Sequence, residues 1–295
     1  MRNKTPLFSI IVPIFNAEKT IGKLLDSILI QDLTDYEIIL IDDCSSDNSI
    51  KEITKIITKN NSKEITLLNN PANRGVSFSR NRGVKAARGT YILFADADDY
   101  YLNETILQEL HDAITNAQNP SVILFGFVKE YIGLRGRKSR KSRYPIKRWQ
   151  ASRNYQLTVF PQRYIWNLTA RRELILSNKI TFDENVSMNE DAIWRSELMW
   201  CASDIAVLEE NLYCYVRTTA TGESYTTDNE IPFSERLSGI VKTVRGIEAA
   251  RRKWHGPKLI VWPLIALIII VQPVGFATLY VFGFFRDRML FMHYR

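Results

Sequence analysis

Between residues 8 and 95 short apolar runs alternate with helical stripes, and this alternation restricts the possible folds more than any other feature of the chain. Phe8-Ser9-Ile10-Ile11-Val12-Pro13, Tyr36-Glu37-Ile38-Ile39-Leu40-Ile41, Ile65 to Leu68 and Tyr91 to Ala95 are nearly continuous apolar stretches. They are too short for buried helices and mark strands covered on both faces. Between them, Ile21, Leu24, Leu25 and Ile28 fall at helical spacing, as do Ile50, Ile53, Ile56 and Ile57, and Val76 to Ala87 continues as a third helix. With connections of only a few residues, the pattern predicts a parallel sheet with crossover helices. Such sheets bind ligands beyond the carboxyl ends of their strands. Those ends carry Asn16, Asp42-Asp43, Asn73-Arg74 and Asp96/Asp98/Asp99, so polar and charged groups converge on one edge.

The fourth run passes directly into Asp96-Ala97-Asp98-Asp99. Carboxylates this close repel by about 1–4 kcal/mol per pair, depending on the local dielectric. A divalent cation bridging to a phosphate relieves that repulsion, and full solvation of an acidic turn is the competing explanation. Downstream, Ile106, Leu107, Leu110 and Ile114 predict a helix, and Val122 to Phe125 a fifth strand. Gly133 to Arg148 holds eight Lys or Arg among sixteen residues and no acid, which reads as an exposed, mobile loop. That loop is either simply solvated or a contact for an anionic acceptor or lipid headgroups. It lacks the interleaved aromatics that stack on bases, and no nucleic-acid partner is expected. Glu190-Asp191 opens a helix running to Trp200, where acids also favour the helix dipole. Ile205 to Val216 alternates loosely and reads as a pair of strands. Trp166 and Trp194 are read as core residues before sugar platforms.

The chain has 295 residues, is 45% apolar and 24% charged, and carries a net charge of +7. It is globular and favours anionic partners. Cys44, Cys201 and Cys214 are far apart and lack metal-ligand spacing, which suits a reducing compartment. The apolar run near the start is short and broken by Pro13, so no signal peptide is expected. Leu259 to Phe285 is 27 residues without a charge. As a straight helix it would reach about 40 Å, beyond the roughly 30 Å hydrocarbon core. Pro263, Gln272 and Pro273 interrupt it, and basic residues flank both ends. This fits a re-entrant hairpin or an in-plane anchor at least as well as a single span, and membrane attachment is expected.

With these residues in view, the chain resembles the family 2 glycosyltransferases over about residues 7–217. Phe8 to Asn16 is similar to that family's first strand and its Pro-x-Tyr/Phe-Asn turn. Ile41-Asp42-Asp43-Cys44-Ser45-Ser46-Asp47 resembles the Asp-Asp-Gly-Ser-x-Asp motif, with Cys44 where Gly is usual. Asn73-Arg74-Gly75 with Ser79-Arg80-Asn81 resembles the Asn-x-Gly…Ala-Arg-Asn segment, with Ser79 in place of Ala. Asp96-Ala97-Asp98-Asp99 resembles the Asp-x-Asp-Asp metal motif, and Glu190-Asp191 the pair that supplies the catalytic base. Arg217, followed only by Ser224, is loosely similar to the Arg-x-x-Ser segment that closes over diphosphate.

The resemblance implies a GT-A fold, a mostly parallel central sheet flanked by helices; it gives no guidance beyond about residue 220, where the apolar tail leads us to expect a helical, membrane-associating extension. The expected domains are 1–217, divided into a nucleotide-binding half (1–100) and an acceptor half (101–217), a helical linker region over 218–257 and a membrane-associating tail over 258–295. Asp43, with Asp42 beside it, would accept the uracil N–H, Pro13 and Phe15 would pack the base, and Asn16 would belong to the nucleotide-sugar site. Asp96 and Ala97 would lie on the nucleotide sugar, with Asp98, Asp96 and Asp99 as ligands of Mn2+ or Mg2+. Arg74, Arg80 and Arg217 would meet the diphosphate, and Asn73 would belong to the nucleotide-sugar site. Asp191, with Glu190, would be the catalytic base.

The implied activity is inverting, metal-dependent transfer from a nucleotide sugar, most simply a UDP-sugar, to a hydroxyl of a bacterial surface glycan or lipid-linked saccharide. The expected location is the cytoplasmic face of the cytoplasmic membrane. A polyprenyl-phosphate glycosyltransferase and a catalytically inactive membrane-bound scaffold are the alternatives. A sugar nucleotidyltransferase would need an early Gly-rich triphosphate loop, and residues 8–20 contain no Gly.

Overall fold

The structure is a computed structural model that describes residues 5–60, 64–132, 138–144, 164–186, 189–218, 241–243, 245–249 and 252–253. Its first half follows the expected alternation: β1 (Phe8–Ile14), α1 (Ile21–Leu29), β2 (Tyr36–Asp42), α2 (Ser49–Lys59), β3 (Glu64–Asn69), α3 (Val76–Ala86) and β4 (Tyr91–Phe94). These strands are parallel in the order β3-β2-β1-β4. The order reverses between β1 and β4, so the crevice of an α/β sheet opens where Asn16 and Asp96 stand. The register aligns the strand ends, pairing Ile14 with Asp42 and Asp42 with Asn69.

The second half adds β5 (Tyr100–Tyr101), α4 (Ile106–Asn116), β6 (Val122–Ile132), β7 (Lys138–Tyr144), β8 (Leu168–Arg171), α5 (Arg172–Ser177), α6 (Glu190–Cys201) and β9 (Ile205–Thr218). Here the sheet departs from the mostly parallel expectation. Strand β8 inserts antiparallel between β4 and β6, and β5 and β7 also pair antiparallel, so the nine-stranded sheet is mixed. Two further expectations are corrected. Part of the basic run, Lys138–Tyr144, is a strand paired with β6; the rest of 133–148 lies outside the described residues. The segment 205–216 is one strand, not two, and register shifts opposite Phe125, Gly126 and Phe127 absorb Glu209, Glu210 and Leu212 as bulges.

Alternate residues of β1 feed two cores. Phe8, Ile10, Val12 and Ile14 pack with Ile21, Leu24, Leu25 and Ile28 of α1 and with α4. Ile11 points to the other face, with Val84 of α3, Ile175 of α5, and Trp194 and Leu198 of α6. Gly83 lets α3 settle on the sheet, since a Cβ there would clash with Ile11 Cγ2 and approach Ile41 Cδ1 to 3.0 Å. Trp194 stacks on Phe182 at 5.0 Å and Trp166 on Tyr213 at 4.8 Å; both indoles are buried and serve the core.

Residues 241–243, 245–249 and 252–253 are helical, and Ile247 packs with Val186, Ala192 and Ile193. They lean on α6. Residues 254–295, including the apolar tail, lie outside the described residues. Among the described residues no helix is long and apolar enough to cross a membrane.

Candidate active site

The site begins with two loops stitched together at the ends of β1 and β2. Asn16 N–H donates to Ser45 Oγ at 3.0 Å, and Asn16 Oδ1 accepts from Ser46 N–H at 2.9 Å. Ala17 N–H donates to Ser49 Oγ at 2.7 Å and Glu18 N–H to Asp47 Oδ2 at 2.9 Å. Asn16 and Cys44 both take left-handed backbone, with φ of 50° and 64°. Asparagine tolerates that conformation better than most side chains; cysteine does not. Pro13 and Phe15 stand half-buried at this edge.

Asp43, expected at the uracil, is buried and spends its carboxylate on the third loop. Oδ1 accepts from Asn70 Nδ2 at 2.7 Å and Arg74 N–H at 2.9 Å, and Oδ2 from Gly75 N–H at 2.7 Å. It thereby fixes the turn from β3 into α3, where Gly75 adopts φ 85°. Asp42 Oδ2 accepts from Ser45 N–H at 3.1 Å, while its buried Oδ1 has no partner among the described residues. Asn73 Oδ1 caps Gly75 N–H at 3.2 Å. Arg74 is exposed at the rim, 4.2 Å from the Phe78 ring centroid and 3.8 Å from Glu184.

Strand β9 holds the acidic turn after β4. Asp96 N–H donates to Tyr213 Oη at 2.9 Å, and Val216 N–H donates to Asp99 Oδ1 at 2.8 Å. Arg217 follows at the same end of β9, beside this turn. Asp99 is fully buried, with Oδ1 on β9 and Oδ2 without a hydrogen-bond partner among the described residues. Burial, with the charges of Asp98 and Asp96, pushes the Asp99 carboxyl well above the ordinary range. Asp98 presents accessible surface beside Ala97, yet enough protein surrounds it that desolvation, with the Asp96 charge, raises its pKa to about 6. The described residues contain no ready-made cluster of three or more His, Cys, Asp or Glu ligands. What fits a divalent cation is narrower: an accessible Asp98 carboxylate under repulsion from Asp96, a repulsion that a cation would relieve.

Arg80 departs furthest from expectation. It is buried rather than displayed on α3, and its guanidinium meets three carboxylates. Nη1 donates to Asp191 Oδ1 at 2.7 Å and Glu190 Oε1 at 2.9 Å, and Nη2 to Asp96 Oδ1 at 3.0 Å. The acidic turn and the start of α6 therefore share one cation, and Asp96 and Asp191 lie in one site. Burial drives the Asp191 carboxyl upward; Arg80 opposes the rise, and Glu190 and Asp96 add to it.

One turn along α6, the buried Arg195 donates to the Tyr164 carbonyl and to Asn167 Oδ1 at 2.8 Å. Desolvation lowers its pKa to about 10, with Asp191 pulling the other way. Neither Arg195 nor Tyr213 was legible as a site residue. The i, i+4 spacing of Asp191 and Arg195 was the available signal.

The chain belongs to Glycosyl transferase family 2, whose family model matches residues 9–175. It is 34% identical over 216 residues to the glycosyltransferase EpsJ of Bacillus subtilis, covering 71% of this chain and 61% of that one. It is 31% identical over 222 residues to the poly(ribitol-phosphate) β-N-acetylglucosaminyltransferase TarS of Staphylococcus aureus, covering 73% of this chain and 36% of TarS. The chain thus spans less than two thirds of either relative. The glycosyltransferase YibD of Escherichia coli is 30% identical over 274 residues, covering 89% of this chain and 76% of that one. Among solved structures, S. aureus TarS 1–349 in complex with UDP-GlcNAc superposes with a TM-score of 0.61 at 25% identity, covering 81% of this chain and 66% of that one.

Proposed function

We propose that this chain is an inverting, metal-dependent glycosyltransferase that moves a sugar from a UDP-sugar to a hydroxyl of a bacterial surface glycan or its lipid-linked precursor. The single observation that carries this reading is the shared Arg80 contact, which brings the donor-side Asp96 and the acid pair Glu190-Asp191 into one site. The kinship with TarS, named for transfer of N-acetylglucosamine to poly(ribitol phosphate) and solved with UDP-GlcNAc, supports the donor and acceptor classes. So does a 29% identical relative in Bacillus spizizenii named a poly(ribitol-phosphate) β-glucosyltransferase.

In this reading Asp42, whose Oδ1 has no partner among the described residues, addresses the base beside the loop that Asp43 fixes, Pro13 and Phe15 pack the base, and Arg74 and Arg217 face the diphosphate from the rim. Mn2+ or Mg2+, held by Asp98 with Asp96, would neutralise charge gathering on the departing UDP. Asp191 takes the proton of the acceptor hydroxyl as that oxygen bonds to the anomeric carbon and the bond to UDP breaks on the opposite face. One displacement inverts the configuration. Arg80 engages Oδ1 of Asp191, so Oδ2 is the proton acceptor. Burial raises the Asp191 carboxyl, which makes it a stronger base when ionised, and the adjacent guanidinium opposes that rise. Residues 258–295 hold the enzyme at the cytoplasmic face of the membrane.

The test incubates the full chain with a panel of UDP-sugars and Mn2+, offers poly(ribitol phosphate) and polyprenyl-linked saccharides as acceptors, and reads released UDP. Turnover with one UDP-sugar, lost on chelation and restored by Mn2+, is expected. No UDP from any donor overturns the reading, and full turnover after exhaustive chelation removes the metal from it. Loss of sedimentation with anionic vesicles on truncation after residue 257 is the expected result for the membrane assignment.

A further inference from the structure

Resting on the glycosyl-transfer reading, we infer that Arg80 is a positioning residue: it fixes the proton-accepting Asp191 relative to the donor-side turn and does not bind diphosphate. A guanidinium offers five N–H donors in one plane. Nη1 serves Asp191 and Glu190, and Nη2 serves Asp96, residues 111, 110 and 16 positions away. The Arg80 side chain is 4% exposed, whereas that of Arg74 is 53% exposed at the rim. The Phe182 ring, with its centroid 5.4 Å from Cζ, covers the guanidinium. Nε has no hydrogen-bond partner among the described residues, but it is buried with the rest of the group, which leaves little surface for a ligand to approach.

What it holds requires holding. Helix α6 starts at Glu190 directly after Asn189, whose backbone is left-handed at φ 58° and whose side chain makes no capping hydrogen bond. Placing a carboxylate for in-line attack tolerates little error. Arg80 supplies a rigid support because α3 lies close on the sheet at Gly83, one turn away. A planar fork can span from Asp96 to the acid pair. A lysine ammonium has one point of contact and cannot hold both ends.

The experiment compares wild type, R80K and the charge-balanced R80Q/E190Q. Urea midpoints report folding, turnover of the UDP-sugar that wild type accepts reports kcat and donor KM, and calorimetry with UDP and Mn2+ reports nucleotide binding. The expected result is a fall in kcat of about 10²-fold or more, the scale of general-base help, with donor KM and UDP affinity within about threefold of wild type. A parallel loss of UDP binding overturns the inference and returns Arg80 to the diphosphate. A folded R80K with near-normal kcat overturns it as well, and loss of the fold in both variants makes Arg80 structural only. Wild-type protein that neither binds UDP nor turns over any donor defeats the glycosyl-transfer reading itself, a separate outcome from these.

Discussion

Tyr213 Oη accepts a hydrogen bond from the Asp96 backbone N–H at 2.9 Å, so a side chain late in the chain fixes the first residue of the acidic turn. Tyr213 is fully buried, stacked on Trp166 at 4.8 Å and edge-on to Tyr101 at 6.0 Å, and cannot swing away. Y213F keeps those ring contacts and removes only the oxygen. It should destabilise the protein by about 0.5–1.5 kcal/mol, the net contribution of one hydrogen bond at a half-buried site. Urea unfolding measures this, and turnover should fall with it because Asp96 and Asp98 lose their anchor.

The base assignment makes a sharper kinetic prediction. D191N should keep the fold and donor KM while kcat drops about 10²- to 10⁴-fold, the usual contribution of general-base help. Full turnover in a folded D191N would refute the role of this carboxylate. Steady-state kinetics with a urea control decide it.

Acid stability should depend on Glu37. This buried carboxylate accepts from Ser9 Oγ at 2.6 Å, Arg88 N–H at 2.6 Å and Arg88 Nε at 3.0 Å, and so ties β1 and β2 to the turn leading into β4. Burial alone would raise its pKa, but hydrogen bonds from Ser9 and Arg88 outweigh it and the value is lowered. A lowered folded-state pKa stabilises above the ordinary glutamate range and loses that contribution as the pH falls through it. The stability of wild type should therefore drop more steeply than that of E37Q between about pH 5 and pH 3. Urea midpoints across that range measure the difference.

Cys44 sits at φ 64°, where its likeness to the family motif has glycine. A left-handed non-glycine residue costs about 1–2 kcal/mol, offset in part by the extra freedom glycine gains on unfolding. C44G should raise stability by about 0.5–1 kcal/mol, read from the urea midpoint.

Legibility followed burial. Strands β1, β2 and β4 were readable because both faces are covered and their apolar runs are continuous. Strand β7 was hidden because Lys, Arg and Ser fill Lys138–Tyr144 without alternation. Strand β9 looked like two strands because Glu209-Glu210-Asn211 has the composition of a turn. Nothing in four residues marked β8 as the antiparallel insertion. The site's ingredients could be listed from sequence, but their pairing could not. Arg74, Arg80 and Arg82 look alike along the chain, and only the packing of α3 against α6 shows that one of them is buried among acids. Likewise nothing in the sequence marks Asp99 as the fully buried one of three similar carboxylates, with the Val216 N–H on its Oδ1.

The bulges in β9 have a wider consequence. They lie before Tyr213, and from Phe127↔Tyr213 to Ile132↔Thr218 the pairing then runs without a slip. Residues 209–212 thus act as a shim that sets the phase of everything after them. Deleting one of them either removes a bulge or slips the pairing after it by one residue, and a slip would put Cys214 where the tyrosine hydroxyl belongs and move the Val216 amide off Asp99. Two grips on the acidic turn would fail together, from a change made outside the cleft.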